Sequence, residues 1–212
     1  MSAHEVETPR GPARVHLHGV DEPRAGLVLG HGAGGGVTSR DLVAVTEAAR
    51  TAGVTVALVE QPYRVAGRRS PAPAAQLDAA WIAVVEHLRS GELLDLPLIV
   101  GGRSLGARVA CRTAESTGAI AVLCLAFPLR PPRRASGTPP VSRLPELDLV
   151  RLPVLVVQGE RDPFGIPPGA ANRTVVRVPG DHSLRSDLEA VAEAVRAWLP
   201  GVVGRGAVTR AP

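Results

Sequence analysis

Two patterns of hydrophobic positions alternate along the chain. Short continuous apolar runs occur at residues 26–29 (GLVL), 54–59, 96–100 (LPLIV), 119–125 (AIAVLCL) and 154–158 (VLVVQ). Their length and β-branched content suit strands buried on both faces. Residues 172–178 supply a last strand, and the alternating stretch 14–20 reads as an edge strand near the start. Between the runs, apolar residues recur at three and four. Leu42, Val45, Ala49 and Ala52 line one helix face, with Ser39 as cap and Gly53 as stop. Leu77, Ala80, Trp81, Val84, Val85 and Leu88 line a second, ended by Gly91. Residues 105–114 (LGARVACRTA) form a small-residue helix. Leu188, Val191, Ala192, Val195, Trp198 and Leu199 define a terminal helix that is expected to stop at Pro200-Gly201.

Strands alternating with helices predict an α/β fold, a mostly parallel sheet of about six to seven strands with helices on both faces. Residues 14–200 are expected to form one domain, between a flexible N-terminus (1–13) and a flexible tail (201–212). One connection, residues 127–153, is long and proline-rich, and loops of this size are usually functional or mobile. Its arginines, Arg130, Arg133 and Arg134, either hold an anionic substrate or are simply solvated, the second being favoured.

Composition narrows the function classes. The chain has 212 residues, 45% of them hydrophobic, enough for a sizeable core. Every basic residue is arginine and the formal charge is +4, but aromatics are only 2%, too few for base-stacking platforms. Nucleic-acid binding is not expected. No apolar run reaches the ~18 residues of a membrane helix, and the polar start MSAHEVETPR lacks the regions of a signal peptide. A cytoplasmic protein with no membrane association is the default expectation. Cys111 and Cys124 are read as small core residues, without a disulfide framework or a metal site. His16 and His18 share one face of the edge strand, but a third ligand is not apparent, so a surface-strand reading is preferred to a metal site.

The candidate chemistry centres on GGRSLG at residues 101–106. Ser104 lies on a strand-to-helix turn, flanked by Gly102 and Gly106, where a side chain would collide across a turn sharp enough to expose the hydroxyl. In a parallel sheet, reactive groups belong in the loops after strands. Asp162 follows a strand in GERDPFG and His182 follows the last strand in VPGDHSL. A serine hydroxyl needs an imidazole to take its proton, and the imidazole needs a carboxylate to fix its tautomer. Ser104, His182 and Asp162 meet those needs in the order Ser, Asp, His. Taken singly, Asp162 could merely start a turn before Pro163, and His182 could merely cap the last helix region. Glu160 and Asp181 are weaker candidate acids, Asp181 because its side chain should point away from its neighbour.

The loop GHGAGGG at residues 30–36 has two readings. Gly30, Gly32 and Gly35 satisfy G-x-G-x-x-G after a strand, and Glu60 ends the next strand, as in an NAD(P)-binding oxidoreductase. Alternatively, the loop supplies an oxyanion donor, the N–H of Ala33 or its neighbour, opposite the N–H of Leu105. A dinucleotide fold does not explain Ser, Asp and His at strand ends, so the second reading is preferred. His31 is expected to be structural, bonded to backbone. His31, Gly32, Gly34, Arg103 and Glu60 are candidate site-shaping residues, and Glu60 is the expected ion-pair partner of Arg103.

The strings HGAGG at His31, EQPYRVAGRR at Glu60, GGRSLGAR at Gly101, FPLRPP at Phe127, VQGERDPFG at Val157 and GDHS at Gly180 together resemble one branch of the α/β-hydrolases. That branch includes testis-expressed protein thirty and the third subunit of the NSL chromatin complex, and it is close to the dienelactone hydrolases. The resemblance implies an α/β-hydrolase fold without a large cap domain, with Ser104, Asp162 and His182 as nucleophile, acid and base. It also implies a small-molecule ester or thioester substrate and no cofactor. The loop at Pro128 departs from the branch, reading PLRPPRR instead of P-L-H-P-P-G. A non-catalytic interaction module that keeps the fold is the alternative function.

Overall fold

A computed structural model describes residues 2–131 and 141–208. In chain order the elements are β1 (Ser2–Val6), β2 (Ala13–His18), β3 (Ala25–Gly30), α1 (Arg40–Thr51), β4 (Val54–Glu60), α2 (Pro62–Val65), α3 (Ala74–Ser90) and β5 (Leu98–Arg103). There follow α4 (Leu105–Thr113), β6 (Ala121–Leu125), α5 (Leu144–Asp148), β7 (Val154–Gly159), β8 (Arg173–Val178) and α6 (Leu188–Val208). The strands form one eight-stranded sheet in the order β1-β2-β4-β3-β5-β6-β7-β8. From β4 to β8 every pairing is parallel, whereas β1 and β2 run antiparallel to their neighbours.

Because side chains alternate across a strand, the parallel strands feed two cores. On one face Val28, Val100, Val122 and Cys124 pack under α3 and α4 with Trp81, Val84 and Ala107. On the other, Leu27, Leu29, Ile99 and Leu123 pack under α1 and α6 with Leu42, Val45, Val191 and Val195. Central strands are therefore apolar throughout, which is why they read as continuous runs. Cys111 and Cys124 are buried free thiols with their sulfurs 3.5 Å apart. The hydrogen bond with Cys111, together with burial, pushes the Cys124 thiol well up.

The sheet has one strand more than the upper expectation, because residues 1–13 are not wholly a loose end. Strand β1 pairs with β2 over Ser2↔Leu17 to Val6↔Ala13, and Arg14 pairs with Glu5 at 2.8 Å. Only Val6 of β1 is buried, so the strand carries almost no hydrophobic pattern. β2 is in consequence an interior strand. At the other end, α6 continues through Pro200 to Val208, where a tail from residue 201 was expected. Val202 and Val203 are 5% and 7% exposed and extend the apolar face, which offsets the hydrogen bond that proline removes. Helix α1 begins after Ser39 as expected, but the Ser39 side chain makes no capping hydrogen bond. The long connection carries α5. Arg133 and Arg134 lie outside the described residues, and Arg130 is exposed.

The strand order locates the site. Chain direction across the sheet reverses between β3, which continues to β4 on one side, and β5, which continues to β6 on the other. Loops leaving β3 and β5 diverge there and open a crevice at the carboxyl ends of the strands. Gly30 and Gly102 are register partners at that point, so the glycine loop and the serine turn start side by side. A dinucleotide-binding sheet has its first strand flanked differently, in the order 3-2-1-4-5-6. Among the described residues no helix is long and apolar enough to cross a membrane.

Candidate active site

Ser104 occupies the single residue between β5 and α4. Its backbone has φ 53° and ψ −103°, a conformation costly for a side-chain-bearing residue. The surroundings hold it there. The Ser104 N–H donates to Leu125 O (2.9 Å), and the Gly106 N–H donates to His31 O (3.1 Å). Close packing explains the flanking glycines: a Cβ on Gly102 would lie 2.5 Å from Gly30 O, and one on Gly106 would overlap the same carbonyl. The serine turn and the glycine loop are thus in backbone contact.

His182 reaches Ser104 from the loop after β8. Its Nε2 lies 2.9 Å from Ser104 Oγ, and its Nδ1 lies 2.8 Å from Asp162 Oδ2. Asp162 comes from the loop after β7, with a fully covered side chain against 18% exposure for that of His182. A buried carboxylate must be bonded at both oxygens. Gln158 Nε2 donates to Oδ2 (2.7 Å) and the Phe164 N–H donates to Oδ1 (2.8 Å). Asp162 does start the turn before Pro163, since Gly165 N–H bonds its carbonyl at 3.0 Å, and it binds His182 as well. The Phe164 ring stands 4.3 Å from the His182 ring, tilted 56°. Gly180 turns the loop with φ +116° two residues before the histidine.

The weaker acid candidates are elsewhere. Glu160 is exposed. Asp181 Oδ1 accepts from the Ser183 N–H and hydroxyl, which hold its carboxyl below the usual range. His31 bonds to backbone, as expected. It is buried, lies 2.8 Å through Nδ1 from Gly32 O, and accepts the Gln61 N–H at Nε2 (3.2 Å). Desolvation lowers its pKa, so the neutral ring that both bonds require is the favoured form. Sequence reasoning missed Tyr63, whose hydroxyl donates to Ala33 O at 3.0 Å and whose pKa burial pushes up to about 12.

Arg103 is not paired with Glu60. Its Nε lies 3.3 Å from Asp41 Oδ2, in the first turn of α1, and its Nη2 donates to His182 O at 3.0 Å. Glu60 is taken by His16 (3.0 Å) and Arg14 (3.8 Å) on β2. A Cβ on Gly32 would come 2.7 Å from Arg103 Nη1 and push the end of that side chain aside, whereas a Cβ on Gly34 would meet nothing within 4 Å. Gly34 has no steric role in the site. From the residue before Ser104, one guanidinium therefore reaches the glycine loop, α1 and the backbone of His182.

Known proteins share this architecture. The chain aligns over 94% of its length with an α/β serine hydrolase without lid from Xanthomonas campestris, covering 95% of that chain at 22% identity and a TM-score of 0.72. With Est1E from Butyrivibrio proteoclasticus the values are 96%, 100%, 18% and 0.76. With a dienelactone hydrolase from Anabaena variabilis they are 95%, 97%, 16% and 0.73. No curated protein matches the chain in sequence. The α/β hydrolase domain profile matches residues 23–189, from the start of β3 to the start of α6. That span contains the serine turn, the acid loop and the histidine loop, and on it the chain belongs to the α/β hydrolase domain family.

Proposed function

We propose that this chain is a serine hydrolase that cleaves a carboxylic ester or thioester through an acyl-Ser104 intermediate. The observation that carries the reading is the hydrogen-bonded series Ser104 Oγ, His182 Nε2, His182 Nδ1, Asp162 Oδ2, at 2.9 and 2.8 Å. His182 takes the hydroxyl proton as Ser104 Oγ attacks the carbonyl carbon, and the imidazolium then protonates the departing alcohol or thiol. Water attacks the acyl group in the second half, with His182 as base again. Asp162 keeps the proton on Nδ1 and leaves Nε2 as the acceptor. Esterase and dienelactone hydrolase neighbours support the hydrolase class.

The oxyanion is assigned to the N–H groups of Leu105 and Ala33. Leu105 opens α4, and the first amides of a helix have no partner inside it. The peptide joining Gly32 to Ala33 has its carbonyl bonded to His31 Nδ1. In a trans peptide the N–H points opposite the carbonyl, so the Ala33 N–H faces away from His31. Within the family, the motifs around His31, Ser104 and Asp162 favour the branch of testis-expressed protein thirty. The substrate is a small molecule, handled in the cytoplasm.

The test is to mix the protein with a chromogenic short-chain ester, quench in acid and weigh the intact chain. An acyl adduct on Ser104, absent in Ser104→Ala, is expected. Turnover that persists in Ser104→Ala refutes the reading.

A further inference from the structure

We propose that His4, His87 and Glu92 form a binding site for a zinc ion that clamps β1 onto the end of α3. One ligand atom from each residue lies within 4.8 Å of the other two, the sole such grouping of three metal-capable side chains among the described residues. His4 Nε2 and Glu92 Oε1 are 3.3 Å apart. Metal–ligand bonds of about 2.0–2.1 Å at a tetrahedral ion put neighbouring donors about 3.3 Å apart, so this pair already has the required spacing. His87 is exposed on the last turn of α3, free to rotate the remaining distance.

The backbone presents the two α3 ligands together. Helix α3 ends at Gly91, where the chain turns with φ −130° and ψ −109°. Leu93 is 1% exposed, and its N–H is tied back to Leu88 O at 2.8 Å. That anchored turn sets Glu92 beside His87. His4 arrives from the edge strand, with Nε2 buried and making no hydrogen bond, since its contact with Glu92 lacks hydrogen-bond geometry. A desolvated nitrogen facing a carboxylate and a second imidazole gains most from a cation shared by all three. Two imidazoles and one carboxylate select zinc over the hard cations magnesium and calcium, and a water completes four-coordination.

The consequence concerns the weakest part of the sheet. β1 is an edge strand held by one five-residue ladder, by Val6 and by the exposed Glu5–Arg14 pair. An ion joining residue 4 to residues 87 and 92 closes a long loop, and because the ligands gather only in the folded chain, its binding energy becomes stability of β1. The site is at the end of α3 that leads into the start of β5, whereas Ser104 follows the end of that strand. Zinc binding here is independent of the serine chemistry.

The experiment uses the full chain without an affinity tag, stripped with chelator and titrated with zinc chloride by calorimetry, with magnesium as control. Hydrogen exchange over residues 2–6 is followed in parallel. One zinc ion per chain is expected, with no magnesium binding and slowed exchange in β1. His87→Ala and Glu92→Gln, both at exposed positions, should keep the fold and weaken zinc binding by about tenfold or more, abolishing the slowed exchange. Equal zinc affinity in wild type and both variants, or zinc binding that leaves β1 exchange unchanged, overturns the proposal.

Discussion

Replacing Arg103 by methionine removes the guanidinium while keeping most of the apolar stem. The Asp41 side chain is 2% exposed and that of Arg103 19%. Taking one partner from a buried pair costs about 3–5 kcal/mol, because the other charge stays desolvated. Partial exposure of the guanidinium lets water enter its place, so the lower end, about 3 kcal/mol, is expected. For a domain of this size that lowers Tm by about 6–12 °C. Adding Asp41→Asn removes the stranded charge and should recover about 2 kcal/mol in a double-mutant cycle. Activity should not recover with it. The hydrogen bond from Arg103 Nη2 to His182 O is lost in both variants. A histidine loop displaced by a fraction of an ångström should cost about 10- to 100-fold in kcat with little change in KM. Urea or thermal unfolding, paired with hydrolysis of a chromogenic ester, reads both quantities. An Arg103→Met protein with unchanged Tm and kcat would refute the assignment of Arg103 as the tie between loops.

Gly106→Ala would drive a methyl into Gly30 O and part the serine turn from the glycine loop, costing about 1–3 kcal/mol by denaturant unfolding and more in relative activity than in stability. Asp162→Asn should fold and lose about 1,000- to 10,000-fold in kcat, since His182 is left without its tautomer-fixing acceptor. Gln158→Leu removes one donor to Asp162 and should lower kcat by about tenfold, measured at saturating ester. His31 has a lowered pKa in the fold, so the unfolded chain binds more protons below about pH 6.5. Its contribution to stability is complete above that pH and is lost as pH falls. His31→Gln should flatten the decline in denaturation midpoints as pH falls below about 6.5.

Much of the site was legible because its chemistry is tied to strand ends. Ser104 and Asp162 each follow a run whose apolar continuity marks a buried parallel strand, His182 follows the half-exposed last strand, and the glycines around Ser104 have steric work that spacing alone reveals. What stayed hidden depends on which loops meet in space. Asp41 lies in the first turn of a helix, where a carboxylate is already explained by the helix dipole, so nothing singles it out as the partner of Arg103. Glu60 was the nearer guess by strand position, but β2 lies beside β4 and its His16 and Arg14 claim that carboxylate. Gln158 reads as the polar end of a strand, yet it is fully buried and holds Asp162. The boundaries failed for opposite reasons. β1 has too few apolar residues to show a period, and α6 keeps its apolar face across a proline that normally ends one.

The most direct measurement is the intact mass of the protein before and after exposure to a fluorophosphonate, for wild type and Ser104→Ala. An activated serine with a working base gives one covalent adduct per wild-type chain, mapping to Ser104, and none in the variant. A folded wild-type protein that takes up no adduct, or an adduct that survives in Ser104→Ala, contradicts Ser104 as the nucleophile.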